Sequence, residues 1–423
     1  MTRPSRNYEY AGGFSRSGVG VYWHIPPLRS GGISAQGISW GKVGEVKAEH
    51  RLERCPGFSF GGGAIMRVSL VGPVYPYRGG IAHYTTMLYR ALREQGHDVL
   101  MVSFKRQYPR WLYPGRSDKD PSKKPLIVED AKYWIDSLNP ITWLTTFWRI
   151  LRYRPDVLVL QWWTTFWSPV WFTLGILNRL FLRRPLVFIC HNVLPHEVRR
   201  WDPLLARMVL RCGTRFIVQS EDEQERLLTL MPRARVAIVP HPVYDMFSDQ
   251  RIPKDEARRR LGLPLSVPVL LFFGVVREYK GLKDLLTAIP EVQARLGKVV
   301  LLIAGEFWED KRSYLEVVER LGISDSVVIE DRYIPNEEVG LYFSAADVLV
   351  APYRRVTGSG AIQMARGFKL PVIKIQIGST AESIANEIIR LLKGERVLNA
   401  DHHVDTEQVS WGYLVSQIVG GNV

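Results

Sequence analysis

Apolar residues in this chain fall into short runs, separated by stretches in which they recur every three or four positions. Runs at 68–71, 99–104, 157–161, 186–190, 216–218 and 237–239 are rich in Val, Ile, Leu and Phe and lack an alternating polar face. They predict strands buried on both sides, as in a parallel sheet. Between the first two, Ile81, Tyr84, Leu88, Ala91 and Leu92 lie on one face of a predicted helix. Ser220, with Glu223 three residues on, reads as a capping box for another. The pattern then starts again, with strands expected at 269–273, 299–304, 327–329, 348–351 and 372–375. Leu282, Leu285, Leu286 and Ile289, at i, i+3, i+4 and i+7, mark the helix after the first of them. Two successive β-α-β series imply an α/β fold of two doubly wound, Rossmann-like domains whose strand ends face a central cleft.

The joint is expected near 241–253, where Pro, Asp and other polar residues collect. That gives a first domain over 66–245, a second over 246–405, and a segment at 406–423 expected to pack back on the first domain. Residues 1–65 carry Gly pairs, scattered Ser and Pro and no sustained period. They read as a disordered extension, or as residues preceding a natural start at Met66; on either reading the activity survives their removal.

One segment imitates a membrane span. Residues 157–177 are 21 positions without a charge, long enough to cross a bilayer. Pro169 divides them, however, and a strand followed by a helix starting at Ser168–Pro169 fits better. Six tryptophans (Trp143, Trp148, Trp162, Trp163, Trp167, Trp171) stand near Arg149, Arg152, Arg154, Arg179, Arg183 and Arg184. Two readings stay open: an aromatic and basic surface that rests on an anionic bilayer, or rings packed inside with solvated arginines.

Composition narrows the class. Hydrophobic residues make up 46% and charged ones 23% of the 423 residues, as in a globular protein. A net charge of +14 favours phosphates, anionic lipid or nucleic acid as partners. Nucleic acid ranks last, because no zinc-finger, RRM-like or basic-zipper pattern is present. Cys55, Cys190 and Cys212 are isolated, which suits a reducing compartment and excludes a disulfide framework or zinc cluster.

Three stretches carry candidate chemistry. Phe272-Phe-Gly-Val-Val-Arg-Glu-Tyr-Lys-Gly281 sets Arg277 and Lys280 on a glycine-bracketed turn between a strand and a helix. That place suits an anion, which meets the free N–H groups and positive dipole end of the helix. Gly79-Gly80 opens the first helix and lets the backbone approach a ligand closely. The spacing is not Gly-x-Gly-x-x-Gly, and Lys105-Arg106 rather than an acid follows the second strand, so a dinucleotide site is disfavoured. His191, directly after a buried strand in His-Asn-Val-Leu-Pro-His-Glu, is placed to reach the cleft, with His196 and Glu197 read as local loop partners. In 353–365, Thr357, Ser359 and Gly360 offer a second anion pocket or a simple helix cap. No metal-ligand set emerges.

Taken together these motifs resemble the family-4 (group 1) retaining glycosyltransferases of the GT-B fold, from Met66 to Ile375 with an echo at Ser410-Trp411. The likeness adds Gly305-Glu-Phe-Trp-Glu, Asp331-Arg-Tyr-Ile-Pro-Asn-Glu-Glu, Ala346-Asp-Val and Gly367-Phe-Lys-Leu-Pro-Val-Ile. The resemblance implies transfer of a sugar, of hexosyl type, from a nucleotide-sugar donor to a polysaccharide, glycolipid or lipid-linked acceptor, with retention and without a cofactor or essential metal. Arg277 and Lys280 would hold the diphosphate and offset its departing charge, and Gly79 and Gly80 would border it. His191 would contact the transferred sugar and Tyr333 and Ile334 would line the base pocket, while this chain's own Ser359 and Gln363 would replace part of the bonding to ribose or sugar that the family's Glu residues commonly supply. A cytoplasmic protein active in polysaccharide biosynthesis follows, and the bilayer reading of the tryptophan- and arginine-rich stretch would add a peripheral position on the inner membrane face. Two departures stand out: the two Glu that the family commonly carries fall at Val356 and Met364, and only 37 residues separate Ile373 from Trp411. They leave an alternative, an impaired relative that binds nucleotide or sugar and scaffolds a partner.

Overall fold

The structure is a computed structural model that describes residues 64–354, 358–375, 378–395 and 409–420. The expected extension at 1–65 lies, up to residue 63, outside the described residues, as do 396–408 and, in the third candidate stretch, 355–357, Thr357 included. The first sheet holds β1 (Arg67–Val71), β2 (Asp98–Arg106), β3 (Lys132–Asp136), β4 (Val157–Trp162), β5 (Leu186–Cys190), β6 (Arg215–Val218) and β7 (Val236–Ile238). The second holds β8 (Val269–Phe273), β9 (Val300–Ala304), β10 (Val327–Glu330), β11 (Val348–Ala351) and β12 (Val372–Lys374). Their orders are β3-β2-β1-β4-β5-β6-β7 and β10-β9-β8-β11-β12, and each pairing is parallel. Both sheets are therefore doubly wound, with the winding reversing between β1 and β4 in one and between β8 and β11 in the other.

Burial explains why the strands read so clearly. Every residue of β4, β5 and β9 is buried, so helices cover both faces and no polar alternation is needed. Strand β3, absent from the sequence expectation, is the reason's converse. It is an edge strand, its first two residues are exposed, and its register with β2 shifts at Ser103/Phe104. An edge strand with one wet face has no apolar run to announce it.

The uncharged segment 157–177 is β4, a short 3-10 turn at Thr165–Trp167 and the helix Ser168–Leu177. No helix among the described residues is long and apolar enough to cross a membrane. The tryptophans divide between the two readings. Trp162, Trp167 and Trp171 are fully buried and Trp163 nearly so, packed with Phe104 in the layer between the first sheet and its outer helices. Trp143 is half-buried and donates to the Asp136 carbonyl at 2.7 Å, whereas Trp148 is 47% exposed.

The capping box forms only half. Ser220 Oγ accepts the Glu223 N–H at 3.4 Å, but the Glu223 carboxylate turns away to Arg226 and to the Val193 N–H. The closing helix Trp411–Val419 lies against the helix Gly80–Glu94 of the first half, with Leu414, Val415 and Ile418 buried. Arg215 donates to its last carbonyls, at Gln417 and Ile418.

Trp167→Ala should cost about 3–5 kcal/mol in urea unfolding, the range for emptying a large buried site. Trp148→Ala should stay within about 0.5 kcal/mol. Equal losses would contradict the split.

Candidate active site

In an open parallel sheet the loops beside the reversal of winding part and leave a crevice at the carboxyl ends of the strands. The second sheet reverses between β8 and β11. Arg277 and Lys280 lie on the loop after β8, and the loop after β11 ends on Ser359, with Gly360 opening the helix that follows. The sequence stretches that looked separate are brought together by topology.

The two loops fit closely. Residues 278–280 form a 3-10 turn that ends on Gly281, at φ 68°. A Cβ there would stand 1.9 Å from the Pro352 carbonyl oxygen, so only glycine lets the loops touch. Arg354 donates its N–H to the Tyr279 carbonyl at 2.8 Å and forks onto Asp284 at 2.8 and 2.9 Å. Lys280 Nζ is 5.4 Å from the Tyr353 ring centroid, and no carboxylate among the described residues pairs with it. Burial, then the Arg277 charge, push its ammonium down to about 8. Ser359 Oγ accepts the Ile362 N–H at 3.5 Å and bonds the Tyr353 hydroxyl at 3.3 Å, capping the helix Gly360–Gly367. Gln363 is buried: its Oε1 accepts from Arg366 at 3.1 Å and its carbonyl accepts the Tyr244 N–H. Met364 is 6% exposed.

On the facing side, Gly79 caps the helix Gly80–Glu94 and its carbonyl accepts the His83 N–H at 3.2 Å. The Gly80 carbonyl takes the Tyr244 hydroxyl at 2.9 Å, which ties the first helix to the chain between the domains. His191 follows β5 and is buried. Its Nε2 lies 2.6 Å from Gln161 Oε1, an acceptor, so the proton sits on Nε2; Nδ1 then accepts from Gln219 Nε2 at 3.3 Å. The Tyr84 ring stands edge-on at 4.7 Å. Burial, then His241, lower the His191 pKa to about 3, and burial first of all lowers that of His241 to about 4. Both rings are neutral at physiological pH. A Cβ on Gly358 would lie 1.5 Å from Gln219 Oε1, so the loop after β11 reaches the wall that holds His191.

A polar seam joins the halves beside this crevice. Glu306, after β9, is 4% exposed and receives the Arg78 guanidinium in a buried ion pair. It also accepts the Arg116 N–H at 2.6 Å and the Trp308 indole at 3.2 Å. Arg78 lies over the Tyr333 ring at 5.0 Å, while Ile334 is buried in the core. A cavity of about 410 Å³ opens here, bounded by Arg78, Arg116, Lys119, Asp120, Arg332 and Tyr333. Asn336 and Glu337 accept or donate bonds across the same seam to Ser122, Lys123 and Lys124.

The expectation that His196 and Glu197 serve their own loop is corrected. Glu197 pairs with Arg277 at 2.6 Å, and the His196 ring stacks on Tyr279 at 4.0 Å. Both reach across the cleft because the loop after β5 opens towards the loop after β8. Sequence reasoning also left Arg78, Glu306, Trp308 and Gln219 without roles. An acid directly after Gly305, at a strand end, was the one available signal. Among the described residues no group of three His, Cys, Asp or Glu is placed to hold a metal ion.

Comparison with known proteins agrees with this layout. The family description "Glycosyl transferase 4-like domain" matches residues 79–242, and "Glycosyl transferases group 1" matches 267–400. D-inositol 3-phosphate glycosyltransferase 1 of Catenulispora acidiphila is 28% identical over 186 residues, 42% of this chain and 44% of that protein. The D-inositol 3-phosphate glycosyltransferase of Streptosporangium roseum is 30% identical over 230 residues, 49% of this chain and 52% of its own length. The chain thus spans about half the length of these relatives. Anabaena HepE, solved in complex with UDP-glucose, superposes with a TM-score of 0.58 at 14% identity, covering 84% of this chain and 95% of HepE. That likeness is one of fold, the GT-B arrangement.

Two predictions follow from the geometry. His191 and His241 protonate more readily unfolded (about 6.5) than folded (about 3 and 4). Their contribution is therefore intact above pH ~6.5 and lost as pH falls towards 4, by up to about 2.7 kcal/mol per pH unit for the pair. His191→Gln should flatten that slope in thermal melts; an unchanged slope would contradict the burial argument. Arg78→Ala should cost about 3–5 kcal/mol in denaturant unfolding by taking the buried cation from Glu306, which keeps only its Arg116 and Trp308 contacts, and a loss below about 1 kcal/mol would show the pair to be solvated.

Proposed function

Because the chain belongs to the group 1 glycosyltransferases, with a glycosyl transferase 4-like first half, we propose that it moves a hexosyl unit from a nucleotide-sugar donor to a glycan, glycolipid or lipid-linked acceptor with retention of configuration. One observation carries the reading. Arg277 and Lys280 converge at the winding reversal of the second sheet, facing the first half, and Lys280 is a cation with no carboxylate partner among the described residues. A diphosphate is the ligand such a pair suits. HepE, of the same fold, holds UDP-glucose.

In this reading the sugar C1–O bond to the diphosphate breaks while the acceptor oxygen bonds C1 on the same face. The acceptor proton passes to the departing phosphate, so no carboxylate base is required. Arg277 releases Glu197 and, with Lys280, offsets the charge that develops on the leaving diphosphate; ionic hydrogen bonds of this kind are about twice as strong as neutral ones. Gly79 and Gly80, with Ser359 and Gly360, border the diphosphate. His191, a neutral ring fixed by two glutamines, positions the sugar and does not act as an acid. Tyr333, which borders the cavity, is assigned to the base, and Ile334, buried in the core, backs that wall. Gln363 reaches a ribose only by giving up Arg366.

A second reading, a nucleotide-binding scaffold without turnover, is favoured by Met364, a buried apolar side chain where relatives commonly place a glutamate. Turnover separates the two, measured as nucleotide release from UDP-, GDP- and ADP-hexoses with acceptor mixtures. Arg277→Ala should lower kcat/KM by about 10²–10³ with an unchanged melting temperature. The product's anomeric coupling in NMR should match the donor's; inversion would contradict retention. Lys280 must be protonated to hold the diphosphate, so affinity should fall as pH rises through about 8. The fall should vanish in Lys280→Arg, whose charge persists. A fall that persists in Lys280→Arg would assign it to another group.

A further inference from the structure

Three helical elements cover one face of the first sheet: Pro140–Tyr153, Ser168–Leu177 with its continuation Asn178–Leu182, and Asp202–Leu210. Their inner sides fill the layer that holds Phe147, Trp171, Leu174 and Val209. Their outer sides are not the polar surface expected of amphipathic helices facing water. Ile141, Leu144 and Trp148, at successive turns of the first helix, are 69%, 45% and 47% exposed. Phe181, 54% exposed, meets the Trp148 ring at 5.6 Å, and Leu180 beside it is 56% exposed. Leu204, on the third helix, is 71% exposed. Single exposed apolar residues are ordinary, but a contiguous group on one helical layer marks an interaction surface.

The charge around this surface identifies the occupant. From 138 to 184 the sequence carries six arginines (Arg149, Arg152, Arg154, Arg179, Arg183, Arg184) and one acid, Asp156. Asp156 is engaged by the Arg67 N–H at 2.8 Å. All six arginines are exposed. The third helix adds Arg207, also exposed, while its Asp202 is buried and bonded to Thr165 and the Arg199 N–H. A partner protein of mixed charge has no use for so one-sided a rim. An anionic bilayer does: aromatic and aliphatic side chains enter the headgroup boundary while guanidinium groups bond phosphates above them.

We infer that this face docks the protein on an anionic lipid bilayer, with Leu144, Trp148 and Phe181 entering the interface and the arginine rim holding lipid phosphates. It stands on the exposed face alone and does not depend on which nucleotide the cleft takes. The burial of Trp162, Trp167 and Trp171 makes the contact shallow, since only the outer ring of aromatic residues is free to enter.

The full chain should sediment with vesicles of phosphatidylcholine mixed with phosphatidylglycerol, and far less with phosphatidylcholine alone. Binding should weaken with added salt, because screening acts on the rim. Arg152→Glu with Arg183→Glu should reduce partitioning at least about 25-fold, on about fivefold per charge lost. Leu144→Ser with Trp148→Ser and Phe181→Ser should reduce it without altering its salt dependence. These positions are exposed, and unchanged thermal melts of the variants report that the fold is intact. Failure to sediment with anionic vesicles would overturn the inference. So would a wild-type dimer in sedimentation equilibrium that the serine variant converts to monomer, which would assign the face to a second copy of the chain.

Discussion

A buried carboxylate, Glu306, sits at the centre of the polar seam that joins the two halves. Glu306 comes from the second sheet, yet its partners Arg78 and the Arg116 N–H come from loops of the first. Removing a carboxylate and a guanidinium from water costs several kcal/mol each, and attraction repays it only where remaining lone pairs are filled. Here the Trp308 indole and the Arg116 backbone complete the set. The consequence extends to the cleft. Trp308, held by Glu306, lies 5.8 Å from the Arg277 guanidinium, and Arg78 lies over Tyr333. The seam thus fixes the side chains that border the candidate donor site.

Opposite the seam the cleft is closed by weaker means. The Glu197–Arg277 pair is largely exposed on the Glu side, and such pairs contribute about 0–1 kcal/mol. A cation held by a weak carboxylate is ready to exchange it for a diphosphate of higher charge. The firm seam and the exchangeable pair divide the labour: one sets the geometry of the crevice, the other occupies its anion position until a ligand arrives. His191 behaves differently again. Its two ring nitrogens are committed to Gln161 and Gln219, so burial gives it a fixed tautomer rather than a titratable charge.

The fold was largely legible because fully buried parallel strands must be apolar throughout. The runs at 157–161 and 269–273 reappear as β4 and β8, and the two restarted series became two sheets of GT-B arrangement. Strand β3 escaped because an edge strand with a wet face needs no apolar run. The tryptophans were ambiguous because pattern cannot say which side of a helix lies inward when both sides are apolar. The crevice residues on β8 and β11 were legible as turns at strand ends. Their partners were not, because Glu197 with Arg277 and Arg78 with Glu306 are 80 and 228 positions apart. No local period records a contact of that length.

The central claim is that the loop after β8 receives the diphosphate of a nucleotide. Calorimetric titration of the full chain with UDP, GDP and ADP, beside the Arg277→Ala variant, tests it most directly. The account predicts selective binding of one nucleotide, weakened at least about tenfold by losing one charge-assisted contact. Binding that Arg277→Ala leaves unchanged would place the diphosphate elsewhere, and the absence of binding by all three would contradict the donor site itself.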